Sequence, residues 1–105
     1  MSSDECTVKV FAGICAKTSV IHAKMNEDMN VEVTIESDCP MVSKSPVPVV
    51  VPWDEVSKPM NESEVYKWAS ENIGHTACPV PCCIVKAIEA ASGMALKKNF
   101  TVEMS

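Results

Sequence analysis

Between residues 6 and 36 the chain alternates apolar and polar side chains in three successive runs, a period of two that half-buried strands adopt. In the first, Cys6 to Ala12, Val8 and Val10 share one face against Thr7, Lys9 and Phe11, and Gly13 closes the run. In the second, Thr18 to Met25, Ile21, Ala23 and Met25 oppose Val20, His22 and Lys24. After the polar turn Asn26 to Asn30, Val31, Val33 and Ile35 alternate with Glu32, Thr34 and Glu36. Short connections between such runs predict a three-stranded antiparallel meander, covered on one face and wet on the other.

The middle reads differently. Pro40, Pro46, Pro48, Pro52 and Pro59 exclude a long helix, since each lacks an amide donor and biases its predecessor toward extended backbone. Val49 to Val51 is a candidate edge strand and Trp53 to Ser57 a helical turn, with Trp53 expected to anchor the loop on the core. Two helices follow. Asn61 with Glu64 has capping-box spacing, Gly74 suits a left-handed stop, and Val65, Trp68 and Ala69 form the buried stripe between them. Pro81 fits the first position of the second helix, whose inward face is Ile84, Ala87, Ile88 and Ala91 and whose end is Gly93. Phe100, Val102 and Met104 alternate as a last strand. The expected fold is α+β: a three-stranded meander plus a C-terminal strand, with two main helices packed on one face, in one domain spanning residues 1–105.

Charge narrows the partners. The net charge is −5 and the chain has no Arg, so a nucleic-acid backbone is disfavoured and the bidentate phosphate fork is missing. No window approaches a membrane span, and the N-terminus shows no basic region followed by an apolar run, which predicts a cytoplasmic protein. A protein partner stays open.

Six cysteines are many for 105 residues, and in a reducing compartment they point to metal binding or thiol redox chemistry. Cys15 follows the first strand and Cys39 the third, points that an antiparallel meander brings to one end of the sheet. Cys78, Cys82 and Cys83 lie in Thr76-Ala-Cys-Pro-Val-Pro-Cys-Cys83, which enters the second helix. A first-turn position there favours an anionic sulfur, the form that attacks disulfides and ligates metals. Cys6, inside a strand, reads as a small buried hydrophobe.

The first functional expectation is therefore a thiolate site for zinc or an iron–sulfur cluster, with Cys15, Cys39, Cys78 and Cys82 as ligands and Cys83 and His75 as additional candidates. The second is a thiol redox protein or sensor in which Cys82 attacks and Cys78 or Cys39 resolves. The third is a non-catalytic partner-binding module with buried structural cysteines. No nucleophile elbow, phosphate-cradling loop or paired-His zinc signature is present, so catalysis is left undecided.

Gly13-Ile-Cys15, Glu36-Ser-Asp-Cys-Pro40, Ser57-Lys-Pro-Met60 and Ala77-Cys-Pro-Val-Pro81 followed by Lys86-Ala-Ile-Glu89 resemble an uncharacterised family of short cysteine-containing proteins from anaerobic bacteria and archaea. The resemblance runs from the first strand to the last and implies that Cys15, Cys39 and Cys78 match family cysteine positions. It implies no activity.

Overall fold

The computed structural model describes residues 4–11, 16–43, 49–74 and 76–105. Strands β1 (Glu5–Phe11), β2 (Thr18–Met25), β3 (Asn30–Ser37) and β4 (Val49–Pro52) form one antiparallel sheet in the order β1-β2-β3-β4. Helices α1 (Pro40–Ser43), α2 (Glu64–Asn72) and α3 (Val80–Ala91) complete the fold, with 3-10 turns at Glu55–Ser57 and Met60–Glu62. The α+β class holds.

The alternation sets the sheet's two faces as expected. Cys6, Val10, Ile21, Ala23, Val31 and Val33 are buried together, and α3 lays Ile84, Ala87, Ile88 and Ala91 against them. In the β2–β3 turn, Asn26 Oδ1 accepts from the amides of Asp28 at 2.9 Å and Asn30 at 3.1 Å, with Met29 in the left-handed region at φ 61°. The side chain thus does the work that a glycine turn usually does.

The candidate edge strand at Val49 is present as Val49–Pro52, paired to the outer edge of β3, and the C-terminal strand is a correction, because the C-terminal residues join no strand among the described residues. Phe100, Val102 and Met104 are exposed instead, and the Lys86 ammonium stands 5.5 Å from the centre of the Phe100 ring. Alternation reports a surface that could pair; whether it does depends on which edge the chain can reach.

Two local expectations also shift. The cap of α2 is Ser63, whose hydroxyl accepts from the Tyr66 amide at 3.2 Å, because Asn61 is taken up by the preceding 3-10 turn. The helix leaves through Ile73 in extended conformation, not through a left-handed glycine. Trp53 is 42% exposed, so the loop is anchored by Glu55, which is 1% exposed. Its Oε2 accepts from the Ser63 hydroxyl at 2.7 Å and the Val65 amide at 3.2 Å, while the Lys58 ammonium lies 3.2 Å from Oε1.

Candidate functional site

Helix α3 starts one residue earlier than the sequence predicts, with Pro79 as its cap and Pro81 in the first turn. Cys82 and Cys83 therefore lie in the opening turn, and Cys78 immediately precedes the cap. Two prolines here restrict the backbone before any packing occurs, which fixes where the three sulfur-bearing residues leave the chain.

The adjacent pair turns in different directions. Cys82 is exposed and lines a cleft of about 240 Å³ between α2, α3 and the loop before α2, together with Glu55, Lys58, Met60 and Tyr66. Cys83 is 4% exposed and packs in the core. Burial pushes the Cys83 thiol up to about 11, with the charges of Cys82 and then Cys78 adding to the effect. Cys83 is therefore not the anionic sulfur expected at the helix start, and burial is the first cause. Burial also raises the Tyr66 phenol, and the charges of Cys82 and Cys83 raise it further. Tyr66 and Cys82 line the same cleft, and Cys78 and Cys83 lie beside Cys82 along the chain.

Cys39 sits at the exit of β3. Its amide donates to Ser37 Oγ at 3.0 Å, and Ser37 Oγ shares a 2.7 Å hydrogen bond with the buried Ser19. The Asp38 amide donates to the Thr18 carbonyl at 3.0 Å, so Cys39 follows the point where the start of β2 meets the end of β3. Both Cys39 and Cys78 are half-buried against the core. Cys15 and His75 lie outside the described residues. Among the described residues, no three His, Cys, Asp or Glu side chains form a set that could hold a metal ion.

The cleft beside Cys82 was not legible from the cysteine pattern. Tyr66 falls off the buried stripe of α2, and Lys58 and Glu55 belong to the proline-rich stretch. The one local signal was a Glu within a run expected to pack on the core.

A four-stranded antiparallel sheet backed by helices, with Cys82 at a helix start opening on a cleft, defines a small α+β protein. The chain belongs to a family of unknown function, DUF6951, whose model matches residues 6–104. No curated protein and no solved structure matches it. Among the described residues, no helix is long and apolar enough to cross a membrane.

Proposed function

We propose that this chain is a thiol redox protein in which Cys82 attacks and Cys78 resolves. The observation that carries this reading is the division of labour at the start of α3: Cys82 alone of the three local cysteines is exposed, and it opens on a cleft. Cys78 lies just before the cap of the helix that carries Cys82 and is half-buried.

The chemistry balances with a disulfide as co-reactant. The Cys82 thiolate attacks one sulfur of the substrate disulfide, forming a mixed disulfide and expelling the other sulfur as a thiolate. The Cys78 thiolate then attacks the Cys82 sulfur, which releases the second substrate thiolate and leaves a Cys78–Cys82 disulfide. Two electrons pass from the protein to the substrate, and the departing thiolates take up the protons given up by Cys82 and Cys78. An external dithiol returns the protein to its starting state.

The test is mass spectrometry of anaerobically purified protein treated with an aromatic disulfide. The parent should release both halves of the reagent and end with a Cys78–Cys82 bond; Cys78→Ser should stop at a mixed disulfide on Cys82; Cys82→Ser should lose the fast reaction. Uniform reactivity of all the thiols would overturn the reading. Stoichiometric zinc or iron on the purified protein, lost on Cys78→Ser, would replace it with metal binding by Cys15, Cys39, Cys78 and Cys82.

A further inference from the structure

The second notable surface does not involve Cys82. It is a groove of about 1140 Å³ along β1, floored by α3 and walled by the segment that follows it. That volume is above the ~300–1,000 Å³ of ordinary small-molecule pockets. Both alternating sets of β1 line it, Cys6, Val8 and Val10 as well as Thr7, Lys9 and Phe11, as a groove along a strand edge allows.

β1 ends the sheet on that side. The Met25 amide donates to the Asp4 carbonyl at 2.9 Å, and the continuous register makes Cys6–Ala23, Val8–Ile21 and Val10–Ser19 the hydrogen-bonded pairs that follow. The backbone N–H and C=O of Thr7, Lys9 and Phe11 consequently point away from β2. Among the described residues, no backbone hydrogen bond joins them to the C-terminal segment across the groove.

The lining is basic in a chain of net charge −5. Lys9, Lys86, Lys97 and Lys98 supply four of its nine lysines, against one acid, Glu89, which lies 3.5 Å from Lys86. Lys9, Lys97 and Lys98 form no ion pair among the described residues. A lone lysine on an edge strand ordinarily discourages strand addition. Lysines contributed by β1, α3 and the following segment around one groove instead select the charge of what enters.

We infer that this groove binds an extended, acidic segment of a partner protein, which adds to β1 as a fifth strand. Main-chain hydrogen bonds to Thr7, Lys9 and Phe11 supply the pairing, and the lysines read acidic side chains along the incoming strand. β1 has seven residues, so the segment it accommodates is ~23 Å long at the usual rise per residue.

The probe is a fluorescent peptide as long as β1 that alternates Asp and Val, titrated against the full chain. Binding should weaken at least about tenfold when Lys9, Lys97 and Lys98 are all changed to Glu, and fall steeply with salt. Lys9→Pro removes an outward N–H while sparing the β1–β2 ladder, and should weaken binding similarly. A peptide N-methylated on its pairing edge tests the same point on the parent protein and should not bind. In the free protein, the amides of Thr7, Lys9 and Phe11 should exchange rapidly.

No binding up to about 1 mM would overturn the inference, as would binding indifferent to both Lys9→Pro and N-methylation. Slow exchange of those amides in the free monomer would show the edge already covered by the chain's own C-terminal segment. Slow exchange that depends on protein concentration would assign the edge to a second copy. Equal binding of single-stranded oligothymidine would assign the lysines to nucleic acid. Each of these three results also overturns it.

Discussion

The Ser63 hydroxyl donates to Glu55 Oε2 at 2.7 Å, and the same Ser63 oxygen accepts from the Tyr66 amide at 3.2 Å. One side chain thus ties a buried carboxylate in the proline-rich loop to the first turn of α2. Glu55 closes the arrangement by accepting the Val65 amide and facing Lys58.

Glu55→Ala should destabilise the protein by about 2–4 kcal/mol, because it strands the buried Ser63 hydroxyl and Val65 amide and releases Lys58. Ser63→Ala should cost about 1–2 kcal/mol through the lost cap and the lost donor. Urea unfolding with an unchanged slope is the measurement. The double variant should lose less than the sum, since both substitutions break one hydrogen bond.

Cys83 predicts a stability loss at alkaline pH. Its thiol moves from 9.0 up to about 11 on folding, so the folded chain holds this proton more tightly than the unfolded chain. The resulting stabilisation is whole below the lower value and lost as pH rises through the interval to the higher one. Cys83→Val should flatten that part of the melting curve against pH relative to the parent. Alkylation should find Cys83 slow and Cys82 fast throughout the same range.

Core truncation should be costly on α3. Ile84→Ala and Ile88→Ala, at fully buried positions, should each lose about 2–5 kcal/mol by cavity formation. Val50→Ala, on the exposed face of β4, should change stability by no more than about 0.5 kcal/mol in denaturant titrations.

Met29→Gly should stabilise the β2–β3 turn by about 0.5–1 kcal/mol, since φ 61° is strained for a side chain and free for glycine. Asn26→Ala should do the opposite, because it removes the acceptor for the Asp28 and Asn30 amides. Thermal melts of the two variants check the pair.

The residues that could be read correctly are those whose environment is set by their near neighbours. The alternation of Val8 and Val10, of Ile21 and Ala23, and of Val31 and Val33 announced the buried face of the sheet, and the stripe of α3 announced what covers it. Pro81 placed the start of α3 to within a residue. The candidate site was legible only in part: the sequence put Cys82 and Cys83 in a first turn and singled out Cys82 as the attacking thiol, but it did not show the cleft on which Cys82 opens. The rotation of α3 against the sheet leaves Cys82 exposed and buries Cys83.

Sequence alone determined the periodicities, the proline constraints and the faces, all consequences of backbone geometry over a few residues. Tertiary structure decided that Val49–Pro52 takes the sheet edge while residues 100–104 stay unpaired, that Ser63 displaces Asn61 as the cap, and that Glu55 is buried. Each is a competition between locally comparable alternatives, and the winner is whichever can also satisfy a partner far away in the chain.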